Sequence, residues 1–587
     1  MKKDHCIIHV RKVLFLTLGL IVFVSKFSSL FGQPAIGGRI RNFQTFANDR
    51  QGKRTVLRGK DAHNVSRDIA EIIGPRLESL NESNQVTLVI EAPQCLYNNQ
   101  THIATSSDAI SVQTSEGKFS IKGRGWTWLA DESHLIISNE VTAVISKQVL
   151  ETAGATNQPV SASTKTNQAP GDVQIQSSGF EYQSDGIIFR EGVIVKEDQG
   201  TMTCRILHAA LSQPGNQIER IEADDQVRIE QKDTVATGGR AVYLMRDKLI
   251  TMTNSPAWKI AEREGTSDLL VLNRSNNHLH TAGHVYMRLP DSSVITNGPD
   301  SGSATNRTTN IVEVTANTFD YDQKFAIYRE NVHAKETQGT IDCEVLTISF
   351  AAEGNRPEKI VAEENVTIVR GSSRVHGNKA VYEIAEDKLR VDGEPKWQIG
   401  DKKGESGYLA LRPKSQEFQA GGGVHMIVNT LPGLSLKTMP GSKTNGTPVV
   451  QTNEAMEVFA GRLDHKDDLS IFEDAVRIKD SQGEILCEFL VIASGPSNQV
   501  TRIVADQNVR IIQTNMVTTS ERAFYTVTNG IVELTGSPKL KMPDRLLTAD
   551  VFLLNRSNST FKTRGKYRIE MVRPPDSWRT NSTRAKT

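Results

Sequence analysis

The feature that most constrains this chain is a segment that occurs three times. A glycine followed four residues later by a cysteine marks each copy, and the three glycines, Gly200, Gly339 and Gly483, lie 139 and 144 residues apart. Further along, each copy carries a related string, IEADDQV, VAEENV or VADQNV, and then AVY or AFY. Because several separated motifs recur in one order, the sequence predicts a repeat architecture built by duplication.

Three polar stretches separate the copies. Glu151–Asp172, Asp291–Asn310 and Leu431–Gln451 are rich in Ser, Thr, Asn, Gly and Pro and lack hydrophobic periodicity, and they are too long for ordinary loops. They divide the chain into four blocks, which we call the first to fourth repeats: 40–150, 173–290, 311–430 and 452–573. The first is a diverged copy, in which Trp128 and Leu135 follow Gly123 at the offsets of Tyr382 and Leu389 from Gly377.

Residues 1–35 have the pattern of an export segment. A basic start is followed by the apolar run Val13–Val24, which has the length of a signal-peptide core. Apolar character resumes after Lys26, so residues 13–31 could instead span a bilayer if that lysine reaches the interface. A cleaved signal peptide and a retained membrane anchor both stay open. In either case the rest of the chain is predicted to be exported.

Within each repeat the hydrophobic period is two. Val227 and Ile229 alternate with Arg228 and Glu230, and the other repeats show the same alternation. Such alternation, interrupted by Gly, Asn or Asp, is typical of half-buried strands. No amphipathic helix pattern follows the N-terminal segment. The sequence therefore predicts an all-β chain of antiparallel sheets.

Composition and motifs argue against several functions. The net charge of +1 is unlike the basic excess of a nucleic-acid binder, and five cysteines in 587 residues exclude a disulfide-dense scaffold. No nucleophile elbow, zinc-protease or phosphate-loop motif is present, so we expect no enzyme, no cofactor and no metal site. The recurring carboxylates Asp224, Glu363 and Asp506 are expected to cap turns before strands. The repeat cysteines are expected to be small inward-facing hydrophobes.

The repeat motifs resemble a known family. FEYQSDGIIFREGVIVKEDQGTMTC from Phe180, the later alternating strings and the closing NSPAW or GEPKW are similar to the LptA/OstA-like family of periplasmic lipopolysaccharide-transport proteins. The first repeat, with GKFSIKGRGWTWLADESHLIISNEV at Gly117–Val141, resembles the LptC-like members, and the other three resemble LptA. This chain departs from the family in carrying four such modules in one polypeptide.

The resemblance implies tandem V-shaped β-jellyrolls whose inner faces form an apolar trough for acyl chains. It also implies a periplasmic bridge that carries lipopolysaccharide or a related glycolipid towards the outer membrane, with an inner-membrane ABC transporter complex and an outer-membrane LptD-like receptor as partners. The candidate trough residues are the alternating apolar ones: Val193, Val195, Val227, Ile229, Val332, Val366, Ile368, Val476, Ile478, Val509 and Ile511.

Three alternatives stay open. The alternating residues could pack a closed core rather than line a trough. The chain could be an exported structural or adhesive repeat protein without a ligand. A polysaccharide-active β-solenoid enzyme is a third possibility, against which the small numbers of Trp (5) and Tyr (10) weigh.

Overall fold

The computed structural model describes residues 38–571 apart from 147–171, 291–310, 430–454 and several shorter gaps. The N-terminal segment 1–35 and nearly all of the three predicted linkers lie outside the described residues. The chain divides into two compact units. One comprises Met1–Val112 and Gly125–Ser133, and the other comprises Gln113–Arg124 and His134–Thr587.

The strands of the first repeat are short or of moderate length. They are β1 (Arg39–Asn48), β2 (Arg54–Asn64), β3 (Ile69–Ile73), β4 (Arg76–Leu80), β5 (Val86–Glu91), β6 (Gln94–Asn98), β7 (Ile103–Thr114), β8 (Phe119–Leu129) and β9 (His134–Ile145), with one 3-10 turn at Ala130–Glu132. In the first unit, β2 pairs antiparallel with β1, β3 and β4. Its core includes Ile72, Trp126 and Trp128, each at most 1% exposed.

The second repeat contains β10 (Val173–Ser177), β11 (Gly179–Gln183), β12 (Gly186–Glu197), β13 (Gly200–Leu211), β14 (Ile218–Gln231), β15 (Thr234–Leu244), β16 (Leu249–Thr253), β17 (Ala257–Ile260), β18 (Arg263–Thr266), β19 (Leu269–Asn273) and β20 (His278–Pro290). The third contains β21 (Ile311–Tyr321), β22 (Phe325–Glu336), β23 (Gly339–Phe350), β24 (Pro357–Arg370), β25 (Ser373–Glu383), β26 (Lys388–Asp392), β27 (Lys396–Ile399), β28 (Lys402–Glu405), β29 (Tyr408–Arg412) and β30 (Glu417–Asn429). The fourth contains β31 (Ala455–Lys466), β32 (Leu469–Asp480), β33 (Gly483–Ser494), β34 (Val500–Gln513), β35 (Met516–Thr526), β36 (Ile531–Thr535), β37 (Lys539–Lys541), β38 (Arg545–Asn555) and β39 (Thr560–Met571).

The prediction of an all-β antiparallel fold is confirmed. In the second unit the described strands from β9 onward pair antiparallel, mostly with their neighbours in sequence. Some pairs skip strands, such as β15 with β17 and β16 with β19. The described residues include no helix long and apolar enough to cross a membrane. The apolar N-terminal segment, which is expected to be helical, lies outside the described residues.

Most long strands bend near their middle. In β24 the bend is at Glu364 and Asn365, which have positive φ angles of 64° and 55°, and the pairing register shifts there on both sides. In β30 it is at Gly422 and Gly423, with φ of 77° and 89°. Asn and Gly tolerate this left-handed backbone better than other residues, and Asn365, Gly422 and Gly423 are of these types, whereas Glu364 is not. The pairing register of β30 with β31 shifts at the glycine run.

The bends divide the sheet of the second unit into two arms. The linker arm holds the strand ends that meet the predicted linkers and includes β17, β18, β27, β28 and β37. The hairpin arm includes β16, β19, β26, β29 and β36. Each long strand contributes one half to each arm: β25, for example, pairs with β26 through Lys379–Glu383 and with β27 through Arg374–His376.

The repeats join through backbone ladders. β20 of the second repeat pairs with β21 of the third over ten residue pairs, from Leu279–Tyr321 to Pro290–Ile311. β30 and β31 join the third and fourth repeats over ten pairs in the same way. A pair inside a repeat, β22 with β23, also has ten. The junctions are therefore as extensively hydrogen-bonded as the repeats themselves, and the sheet continues across them.

The recurring carboxylates form cross-strand ion pairs rather than the expected turn caps, except that Asp506 Oδ1 also accepts the backbone N–H of Gln507 at the bend, at 3.1 Å. Each lies inside a strand just before the bend and pairs with a basic residue on the next strand. Asp224 accepts a hydrogen bond from Arg240 at 3.0 Å, and Glu363 accepts one from Lys379 at 2.8 Å. Asp506 accepts one from Arg522 Nε at 2.9 Å. The alternation places them on the outer face, where cross-strand ion pairs stabilise a sheet.

Candidate functional site

The candidate site is the inner face of the two arms in the second unit. In the third repeat, Val332, Cys343, Val366 and Val375 come from four neighbouring strands and are each at most 5% exposed. The register places Val332 opposite Cys343, and Val366 opposite Gly377 on β25. The inner face of the linker arm is therefore an apolar row that runs from strand to strand.

Burial along this row changes with distance from the bend. The six candidate residues next to a bend are at most 2% exposed: Val193, Val227, Val332, Val366, Val476 and Val509. Two positions further from the bend, four of the five candidates are only half-buried: Val195, Ile229, Ile368 and Ile511. The exception is Ile478, which is 3% exposed. The apolar row is thus fully buried at the bend and partly exposed to solvent towards the ends of the strands.

The hairpin arm carries a second inner row that sequence reasoning missed. Phe180 lies opposite Phe189 with ring centroids 5.3 Å apart, and Phe319 lies opposite Tyr328 at 4.6 Å. Leu463 and Phe472 occupy the same positions in the fourth repeat and are both fully buried. The signal available in the sequence is an apolar residue four positions before each bend valine. It is aromatic before Val193, Val332 and Val476 and alanine before the other three.

Burial keeps the inner face uncharged. It raises the pKa of the Cys204, Cys343 and Cys487 thiols to about 12, so these side chains stay protonated at neutral pH. All four described cysteines are free and buried, as expected for small hydrophobes. Burial also raises the pKa of the Tyr182 and Tyr328 hydroxyls. Among the described residues no group of three or more His, Cys, Asp or Glu could hold a metal ion.

Residues of both arms meet in a buried cluster in the last strands. Leu534, Leu540, Ala549 and Phe552 make one buried cluster, and Leu547 and Phe561 pack against it. Leu534 lies on the hairpin arm and Leu540 on the linker arm, so the cluster contains residues from both arms. The third repeat has a similar contact, since the ring centroids of Trp397 on the linker arm and Phe418 on the hairpin arm lie 5.6 Å apart. Contact between the arms is therefore not confined to the C-terminal end of the sheet.

Fold and inner face together define a class: a tandem antiparallel β-roll with an apolar lining and uninterrupted ladders between repeats. Residues 313–417, nearly all of the third repeat, match the family model described as LptA/(LptD N-terminal domain) LPS transport protein. The third repeat therefore matches this family, which confirms the resemblance of the repeat motifs to LptA/OstA-like proteins.

Other comparisons are more distant. No curated protein matches the chain significantly. A similar solved structure is that of LptH, the LptA homologous periplasmic component of the lipopolysaccharide transport device from Pseudomonas aeruginosa. It shares 12% sequence identity, covers 20% of this chain and 95% of its own, and has a TM-score of 0.18.

Proposed function

We propose that this chain is a periplasmic bridge that carries lipopolysaccharide or a related glycolipid from the inner to the outer membrane along the inner face of its sheet. The observation that carries the proposal is the continuity of the ladder: β20–β21 and β30–β31 join repeats without a break in pairing. Since inward positions are apolar in every repeat, a continuous ladder gives a continuous apolar row.

Acyl chains are suited to such a surface. Each methylene that leaves water for an apolar surface contributes about 0.8 kcal/mol, and a sugar head group outside the arms stays hydrated. The half-buried Val195, Ile229, Ile368 and Ile511 are the positions where a chain could add to the burial already present. The residues at the bends are already buried, so they would form the base of the trough rather than contact the lipid.

The extent of the sheet fits a bridge between two membranes. Each of the second, third and fourth repeats contributes eight successive strand positions to the hairpin arm, the third through β21–β26, β29 and β30. At ~4.8 Å per strand, eight positions measure ~38 Å and three repeats ~115 Å along the pairing direction. That path suits transport across an aqueous compartment.

The bridge would need partners at both ends. We infer an inner-membrane ABC transporter complex as the energy source and an outer-membrane LptD-like receptor as the acceptor, since neither an active site nor a nucleotide-binding motif is found in the sequence. Residues 1–35 would either direct export and be removed or hold the chain at the inner membrane. The alternative function, a structural or adhesive protein with closed repeats, is favoured by the full burial of bend residues such as Val366, which is 0% exposed.

Lipid that copurifies with two variants tests the proposal. Ile368→Asp places a charge on the inward, half-buried position of β24, and Thr367→Asp places the same charge on its outward neighbour. We expect Ile368→Asp to lose most of its bound lipopolysaccharide and Thr367→Asp to keep it. Equal lipid content in both folded variants and the unaltered chain would contradict the proposal and favour closed repeats.

A further inference from the structure

The outer face of the third repeat carries a concave groove that the trough does not involve. Its volume is about 380 Å³, within the range of small-ligand pockets. Four neighbouring strands of the linker arm form it: β25, β27, β28 and β30. Three strand spacings of ~4.8 Å make it ~14 Å wide.

Two rows of side chains cross these strands in register. One row holds Arg374, Gln398, Lys403 and Ile427, each opposite the next. The other holds His376, Lys396, Glu405 and His425. Between the rows, Trp397 and Gly404 also line the groove, whereas Val375 and Met426 are buried on the inner face. The groove and the trough therefore lie on opposite faces of one sheet.

The groove carries more basic than acidic side chains, and its arginine and lysines have no carboxylate partner among the described residues. Arg374, Lys396 and Lys403 are exposed, and none makes an ion pair with another described residue. The single carboxylate, Glu405, is already held by His425, whose Nδ1 lies 3.3 Å from Glu405 Oε1. His376 Nδ1 lies 3.0 Å from the hydroxyl of Thr367. With three cations and one anion, the net charge is about +2 when the histidines are neutral.

The other repeats do not share this pattern. In the second repeat, Val235 and Ala257 stand where the third has Arg374 and Lys396. Glu264 replaces Lys403 there and accepts a hydrogen bond from Lys259 at 2.8 Å. In the fourth repeat, Val517 and Leu546 replace Arg374 and Lys403, whereas Lys539 and Lys541 stand at the positions of Lys396 and Gln398. The second and fourth repeats therefore lack the set of three cations spread over three neighbouring strands. Because unbalanced like charges on adjacent strands destabilise a sheet, this set points to a ligand.

The geometry favours a compact anion over a peptide. All four strands are paired on both sides, so no backbone edge is available for an added peptide strand. We propose that the groove binds a phosphate monoester carried on a sugar. The dianion lies among Arg374, Lys396 and Lys403. Gln398 and Glu405 hydrogen-bond to sugar hydroxyls, and Glu405 disfavours a second phosphate.

Titration calorimetry with glucose 6-phosphate on the purified full chain at low salt tests this proposal. We expect one molecule bound per chain and no binding of glucose. The double variant Arg374→Gln/Lys403→Gln should weaken binding by about tenfold or more, since hydrogen bonds between charged groups are lost. The matched control, Lys335→Gln/Lys388→Gln, removes two exposed charges of the same repeat outside the groove and should bind normally.

A second experiment identifies the source of the phosphate. Cosedimentation with phosphatidylcholine vesicles containing phosphatidic acid asks whether a lipid head group carries it. Binding of either probe that is lost only in the groove variant supports the site. Failure of both probes, equal loss in the control variant, or preferential binding of hexaglutamate would overturn it. Loss of lipid from the trough in Ile368→Asp would not alter these results, so the two proposals fail separately.

Discussion

The difference in burial between Val366 and Ile368 gives a sharp prediction. Val366 is 0% exposed beside the bend of β24, whereas Ile368, two residues further on, is half-buried. Val366→Ala removes two buried carbons, about 1.6 kcal/mol of transfer free energy, and leaves a cavity that raises the loss to about 2–2.5 kcal/mol. Ile368→Ala removes three carbons that are only partly buried, so we expect a loss of about 1 kcal/mol.

Lipid binding should rank the two variants in the opposite order. Ile368→Ala removes apolar surface that the bound acyl chain would cover, whereas Val366→Ala leaves that surface in place. We would measure urea unfolding by tryptophan fluorescence, and affinity by displacement of a fluorescent lipopolysaccharide. Thr367→Ala, on the outer face of the same strand, controls for effects on the strand itself. If Ile368→Ala destabilises as much as Val366→Ala and leaves affinity unchanged, the half-buried row belongs to a closed core and the reasoning is wrong.

Other predictions concern the stability and packing of the sheet itself. An added Cβ at Gly339 would lie 2.2 Å from the carbonyl oxygen of Val369, so Gly339→Ala should lower the free energy of unfolding by about 1–3 kcal/mol, measured by urea denaturation. Cys95, Cys204, Cys343 and Cys487, each with its thiol pKa raised to about 12, should not react with Ellman's reagent at pH 8 until the chain is unfolded. Hydrogen bonding by Arg522 lowers the pKa of Asp506, so this pair stabilises the fold above the ordinary Asp pKa and loses its effect as pH falls through the lowered value. Asp506→Asn should remove that small pH dependence from the unfolding midpoint, and an unchanged profile would show that the pair has no net effect.

Much of the fold could be predicted because its signal is local. Alternation such as Val227–Arg228–Ile229 fixes which side chains face inward, and duplication shows the same strand in three places. The inner row of the hairpin arm was missed because each bend adds residues between two stretches of strand. These added residues interrupt the alternation of inward and outward side chains. Glu364 and Asn365 separate Ala362 from Val366 in this way, and only the three-dimensional bend shows that both face inward.

Contacts between distant segments could not be predicted. The turn-capping role expected for Asp224 was wrong because its partner, Arg240, lies on the next strand, and only the register brings the two together. The groove was missed for the same reason, since Arg374 and Ile427 are brought together only through the intervening strands. The ladders between repeats depend on the pairing of β20 with β21 across a predicted linker. No local pattern specifies that register.

Lipid is proposed to travel along one inner face through successive repeats. Photocrosslinking most directly tests this proposal, with a photoreactive residue at Val195, Ile368 or Ile511, one half-buried inward position in each of three repeats. Lys196, Thr367 and Arg510, their outward neighbours, serve as controls. We expect lipopolysaccharide adducts from all three inward positions in cells that are actively exporting it, and none from the controls. Adducts absent from the inward positions, or equally frequent on both faces, would contradict the account.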